Sequence, residues 1–408
     1  MYLTDEEHAW LAGDAGPATR RALEIVVTLA RIYGAERLIP VESVQISGVS
    51  YRNLGDAGVE FLRHWVEEGA RVRVPTTLNP AAMDMVDWNT QGIDADFAAH
   101  QQEVLALFSA MGVGGGAPVP TCTPYLIGSR PRMGAHVAWA ESSAVVFANS
   151  VLGARTNREG GPGAIAAAIV GRTGAYGLHL DAQRRSTVLV KANDPPRTIA
   201  DYSALGALVG RQTRNAVPYF VGLPLDPEEP LLEEKLKALG AAMAATGSVA
   251  LYHVAGITPE ARAHPQLAAT GETLAVGPLA EGYAALSDPA DSDAADIDLV
   301  WIGCPHASLH EIAYVAAALD GRTLRIPLWV TSARPVKAVA EMQGLVAKIE
   351  AAGGRVFADA CLAIGPVREL GYRLVATPSA KGAYYLRNLA QVSVQFAPLD
   401  ACLEAALR

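Results

Sequence analysis

Lysine is scarce in this chain, with six residues in 408. Lys plus Arg number 33 against 42 Asp plus Glu, a formal net charge of −9. No dense basic run offsets that balance. Polyanion binding needs a concentrated positive patch, so a nucleic-acid partner is not expected and simple solubility is. Long apolar runs are also missing. None reaches the ~18 residues of a spanning helix, so no membrane partner is expected either. The first residues, Met1-Tyr-Leu-Thr-Asp-Glu-Glu7, are acidic where an export signal is basic and then apolar, and the expected compartment is the cytoplasm. Cysteine is nearly absent: Cys122, Cys304, Cys361 and Cys402 are all there is. Four thiols make no disulfide scaffold, and in a reducing compartment they are buried apolar groups or metal ligands. Half of the residues are apolar and 18% are charged, which excludes long disorder. At ~150 residues per domain the length corresponds to two or three domains.

Thr4 and Glu7 make a capping-box signature, and helical periodicity runs from there to about Ala35. Arg37–Pro40 and Ser43–Ile46 read as strand, residues 55–70 as helix, Arg71–Val74 as a short strand and Pro75–Pro80 as loop. Residues 94–111 form an amphipathic helix. From Gly112 to Gly134 the chain is dense in Gly and Pro, and so long a structureless stretch in a compact domain is usually functional. Residues 136–153 and 160–171 are small and apolar, and period alone does not separate helix from strand there. The acidic, proline-rich stretch Pro224–Pro230 precedes a helix over Leu231–Ala245. It divides the chain into an N-terminal region, 1–225, and a C-terminal region, 226–408. In the latter, Ile297–Ile302, Leu324–Val330 and Arg355–Ala358 are apolar runs, each with a polar end and a following helix, spaced about 30 residues apart. That is the βαβ signature of a parallel sheet. The expected fold class is therefore α/β, with parallel or mixed sheets flanked by helices and the site at the carboxyl ends of the strands.

Cys304 stands at such an end, Cys361 just past another, and Cys122 in the Gly/Pro-rich segment. Convergent thiolates ligate Zn²⁺ or an iron–sulfur cluster, but free cysteines are also among the most buried residues. The spacings of 182 and 57 residues match no local metal motif. Cys402, in a terminal helix, reads as packing. Gly112-Val-Gly114-Gly-Gly-Ala117 fits the dinucleotide fingerprint only formally, because a helix precedes it and Pro118 and Pro120 block the helix that must follow. Glu141 is a carboxylate in an apolar stretch, either a catalytic acid or base or one half of a structural ion pair. Arg155 and Arg158 beside Gly160-Gly-Pro162 suit a bound carboxylate or phosphate, or a surface turn. Ser47-Gly48-Val49-Ser50 and Thr77-Leu78-Asn79-Pro80 follow strands and could hold an anion on backbone N–H groups. Lys381 reads first as a solvated loop residue. His306 and His310 lie near enough to Cys304 to support it, or to cap the next helix.

Together these segments resemble the aconitase X family in its separate large-subunit form. The residues that carry the resemblance are Ser47-Gly-Val-Ser50 with Tyr51, Cys122-Thr-Pro-Tyr125, Trp139-Ala-Glu-Ser-Ser143, the run Ala148-Asn-Ser-Val-Leu-Gly-Ala-Arg-Thr-Asn-Arg-Glu-Gly-Gly-Pro162, Gly303-Cys304-Pro-His306 and Ala360-Cys361. The resemblance implies an aconitase-like hydro-lyase with an iron–sulfur cluster, most simply [4Fe-4S], on Cys122, Cys304 and Cys361, whose open iron is a Lewis acid for the departing hydroxyl. Carried over by position, substrate binding falls on Gly48, Val49, Ser50, Asn79, Pro80, Glu141, Ser142 and Lys381, joined by Arg155 and Arg158, with Glu141 and Ser142 as the catalytic candidates. The base resembles a serine on a small swivelling domain. The chain ends at Arg408 without one, so a small-subunit partner is implied. Two substrates compete: (R)-5-phosphomevalonate, dehydrated to trans-anhydromevalonate 5-phosphate in an alternative mevalonate route, and cis-3-hydroxy-L-proline. The split subunit and the Asn157–Pro162 run favour the first. A non-enzymatic iron–sulfur scaffold is the remaining alternative.

Overall fold

The computed structural model describes residues 1–268, 273–288 and 296–407. Thr4 and Glu7 do form the capping box, but the helical stretch they open is two helices, Asp5–Ala12 and Pro17–Ile32. Gly13 ends the first in the left-handed region, at φ 104°, and Pro17 restarts the second with its fixed φ. No helix among the described residues is long and apolar enough to cross a membrane.

Three parallel sheets organise the chain. One has strands in the order Thr76–Leu78, Val44–Ile46, Ala138–Trp139. The second, in the order His253–Val254, Pro218–Phe220, Val188–Ala192, Thr273–Val276, takes strands from both sides of position 225, so the N- and C-terminal regions share it. The third runs Arg355–Ala358, Leu328–Ser332, Leu299–Ala307, Leu374–Thr377, Ser393–Phe396. A short antiparallel pair joins Leu38–Pro40 to Arg172–Gly174.

The third sheet shows why its strands read as continuous apolar runs. Leu299 and Trp301 pack into one core, with Ala200, Ala204 and Ala242 of the helices Ile199–Thr213 and Leu232–Gly247. Val300 and Ile302 pack into the other, with Ile312, Val336 and Ile349 of the helices Leu309–Ala318, Arg334–Met342 and Leu345–Ala351. Side chains alternate between faces, and both faces are covered. Cys402 is buried in the second of these cores, on the helix Leu399–Leu407, as expected of a packing residue.

The strand expected at Arg71–Val74 lies instead at Thr76–Leu78, inside the segment read as loop. The backbone N–H groups of Val72 and Arg73 donate to Met111 and Ala168, at the ends of helices, so they have no strand to pair with. The ambiguous segments resolve as the strand Ala138–Trp139 and the helices Ser142–Ser150 and Gly161–Val170. Every residue of Ser142–Ser150 is buried, which removes the polar stripe that marks a helix in sequence.

Candidate functional site

Five strand ends and one interrupted strand open onto one cavity of about 350 Å³. From the three-stranded sheet come Ser47 and Gly48 after Val44–Ile46, Asn79 and Pro80 after Thr76–Leu78, and Glu141 and Ser142 after Ala138–Trp139. From the five-stranded sheet come Cys304 on Leu299–Ala307, Cys361 after Arg355–Ala358, and Lys381 after Leu374–Thr377. Two isolated bridges lie at this seam: Leu78 pairs with Pro120 of the Gly/Pro-rich segment, and Ala81, after the strand Thr76–Leu78, pairs with Ala360, after the strand Arg355–Ala358. Cys122 thereby enters the cavity two residues beyond the first bridge.

All three expected thiols line this cavity, and none is in a disulfide. Cys304 sits where the pairing of its strand with Leu328–Ser332 is interrupted, between Ile302 and Ala307. Gly303 makes the break possible. It has φ +103°, and a Cβ there would stand 2.1 Å from the carbonyl oxygen of Thr331. His306 N–H donates to Cys122 Sγ at 3.2 Å. Its ring joins Thr121 Oγ1 at 2.9 Å and the Ala360 carbonyl at 2.8 Å, and burial lowers its pKa to about 4. Burial also pushes the Cys122 thiol up to about 12 and raises Cys304 and Cys361, while Lys381 pulls all three down without prevailing. The bare thiols are therefore neutral, and a cationic centre among them is what would hold them as thiolates. Among the described residues no three His, Cys, Asp or Glu side chains are grouped to hold a metal ion. Thiols spaced round a cavity suit instead a polynuclear group that takes one sulfur per iron.

The same cavity holds a buried ion pair. Lys381, read in sequence as a solvated loop lysine, is only 7% exposed and sits in the first turn of the helix Ala380–Tyr385. Its ammonium pairs with Glu141 and donates to Ser143 Oγ at 2.9 Å. Glu141 caps the helix Ser142–Ser150, accepting from the Ser143 N–H and from the hydroxyls of Ser142 and Ser143. Burial raises its carboxyl, but Lys381 outweighs that and holds it at about 2. A carboxylate so stabilised carries no proton at neutral pH and is a weak base, so it suits orienting a ligand better than moving its protons.

Family models for the first, second and third domains of aconitase X match residues 1–182, 186–277 and 297–408. This chain belongs to the aconitase X family. Similar proteins include the phosphomevalonate dehydratase large subunits of Thermococcus kodakarensis, 49% identical over 95% of each chain, and Methanocaldococcus jannaschii, 44% identical over 99% of this chain and 100% of that one. The cis-3-hydroxy-L-proline dehydratase of Pseudomonas aeruginosa is 39% identical, over 98% of this chain and 69% of the longer protein. The crystal structure of Thermococcus kodakaraensis aconitase X in its holo form superposes with a TM-score of 0.89 at 47% identity, covering both chains fully. Relatives on both sides are named dehydratases, and this aconitase X chain is a hydro-lyase.

The other expected positions of this aconitase X chain divide. Gly48, Asn79, Pro80, Glu141, Ser142, Arg158 and Lys381 line the cavity with the three cysteines; Val49, Ser50 and Arg155 do not. Val49 packs into the core, and Ser50 is buried at the start of the helix Tyr51–Glu67. Arg155 turns the other way, to Asp181 and the His179 carbonyl at 3.1 Å, so the sequence reading that paired it with Arg158 is corrected in space. Arg158 is an exposed cation beside Glu141. Its neighbour Gly161 starts the helix Gly161–Val170 so close to Ser47 that a Cβ would meet that carbonyl oxygen at 3.0 Å, which brings both loops to one rim. The remainder of the specific run is structural. Asn149 and Thr156 bond each other, and the buried Arg184 donates to Asn149 and Glu260. Asn53 and Tyr385 also line the cavity and were not foreseen. Tyr385 follows Lys381 by one helical turn, and Asn53 follows Ser50 by three residues at a helix start, so spacing alone points to both.

Proposed function

We propose that this chain is the large subunit of a cytoplasmic two-subunit phosphomevalonate dehydratase, converting (R)-5-phosphomevalonate to trans-anhydromevalonate 5-phosphate. What carries the reading is one cavity that combines three free thiols, the Glu141–Lys381 pair and the cation of Arg158. Cys122, Cys304 and Cys361 hold an iron–sulfur cluster. Bound there, it supplies a Lewis acid for the departing hydroxyl.

The chain's own groups do the remaining positioning. Lys381 and the backbone N–H groups of the Gly48 loop face the substrate carboxylate. Glu141, ionised, accepts from a substrate hydroxyl, and Ser142 holds the carboxylate of Glu141 in place. Arg158 and the N-terminus of the helix Gly161–Val170 take the phosphate, through charge and orphan N–H groups. Elimination breaks a C–H bond beside the carboxylate and a C–O bond, forms the C=C bond, and releases the hydroxyl with the proton as water. A serine of a separate small swivelling subunit removes that proton, so the site is complete only in the assembled pair.

The test is turnover by the anaerobically reconstituted pair with both compounds. The expected result is dehydration of phosphomevalonate, none by the 408-residue chain alone, and poor use of unphosphorylated mevalonate. Release of a cyclic imine from cis-3-hydroxy-L-proline, with phosphomevalonate untouched, overturns the substrate assignment and leaves the reaction class standing.

A further inference from the structure

We propose that His306 is a positioning residue that sets the spacing of all three cluster thiols, and that it does so before any iron arrives. The inference rests on the cluster reading above and adds to it a cavity-lining residue that is not one of the cluster ligands.

Three bonds single it out. The backbone N–H of His306 donates to Cys122 Sγ at 3.2 Å. Ring Nε2 meets the carbonyl of Ala360, the residue before Cys361, at 2.8 Å. Ring Nδ1 meets Thr121 Oγ1, beside Cys122, at 2.9 Å. His306 itself stands two residues after Cys304 on the same strand. One residue therefore touches or adjoins all three thiol segments, which lie 182 and 239 positions apart from Cys122 along the chain.

The bond directions are determined. A carbonyl only accepts, so Nε2 carries the proton and donates to Ala360. In the neutral ring Nδ1 is then an acceptor, and the Thr121 hydroxyl spends its one proton on it. Thr121 Oγ1 in turn accepts from the Thr123 N–H at 3.1 Å, and the Thr121 carbonyl accepts from Gln45 Nε2 at 3.0 Å. Gln45, Thr121, Thr123 and His306 are at most 1% exposed, so no water competes for these bonds. The relay runs from the strand Val44–Ile46 of the first aconitase X domain to the Cys361 turn of the third. A cluster needs its sulfurs at fixed separations, and groups behind metal ligands that orient them are typically worth 10–100-fold in metal affinity or activity.

The experiment uses the full chain, reconstituted anaerobically with ferrous iron and sulfide. It measures iron per chain, visible absorbance, and the rate of iron loss to a chelator. His306→Ala breaks both ring bonds and is expected to lose iron about 10–100-fold faster. His306→Gln retains a donor near the Nε2 position, and His306→Asn an acceptor near the Nδ1 position. Each is expected to fall between alanine and wild type, and these two variants carry the test if alanine does not fold. A role confined to stability lowers the unfolding temperature of the iron-free variants while leaving iron loss at the wild-type rate, and that result overturns the proposal. Wild-type chain that takes up no iron, or Cys122→Ser that retains it fully, overturns the cluster reading instead.

Discussion

Lys381→Met tests the electrostatics of the site without touching a thiol. The substitution keeps the length of the stem and removes the ammonium that Glu141 faces. A carboxyl held at about 2 against an ordinary 4.5 represents about 3 kcal/mol of differential interaction, at ~1.4 kcal/mol per pH unit. Breaking a buried pair from one side costs ~3–5 kcal/mol, because the remaining charge has no partner, a cost of the same order. The sign follows from linkage. Glu141 is depressed in the folded chain, so its contribution is fully present above pH 4.5 and lost as pH falls toward about 2. The iron-free variant should therefore unfold at lower urea than wild type at pH 7, by about 3 kcal/mol, and the gap should narrow as the pH is lowered and Glu141 takes up a proton. Adding Glu141→Gln should recover much of the loss, since the double variant buries no unpaired charge. Equal midpoints at pH 7, or a gap independent of pH, would refute the reasoning.

Cys122→Ser, Cys304→Ser and Cys361→Ser should each lose iron on reconstitution while Cys402→Ser keeps it, and iron assay of the four decides which thiols belong to the site. Arg158→Ala should raise KM for phosphomevalonate about 10-fold, the lower end for a charge-assisted contact since Arg158 is exposed. Arg155→Ala should leave that KM unchanged, because its guanidinium is engaged with Asp181 away from the cavity; steady-state kinetics of the reconstituted pair separates the two. Gly303→Ala forces a Cβ against the Thr331 carbonyl in a left-handed backbone, a cost of about 2–4 kcal/mol, and calorimetry with iron assay should find both stability and iron uptake reduced.

Much of this architecture was written in short-range pattern. The runs around Val300, Val330 and Val356 are apolar because both faces of their sheet are covered, and that composition reads as parallel strand in any local window. The capping box at Thr4, the placement of Cys361 just past a strand end, and the packing role of Cys402 are local signals of the same kind, whereas Cys304, expected at a strand end, lies inside the strand Leu299–Ala307 where its pairing is interrupted. Resemblance then named the thiols that belong together. What no window contains is which distant groups meet. Lys381 finds Glu141 across 240 positions, and His306 finds Thr121 across 185. Arg155 and Arg158 look alike in sequence, yet only Arg158 lines the cavity. Burial makes the selection for Lys381 and His306. A charge or imidazole in a low-dielectric seam is tolerated only with its partner in place, and the seam exists only once the carboxyl ends of two parallel sheets have been brought together.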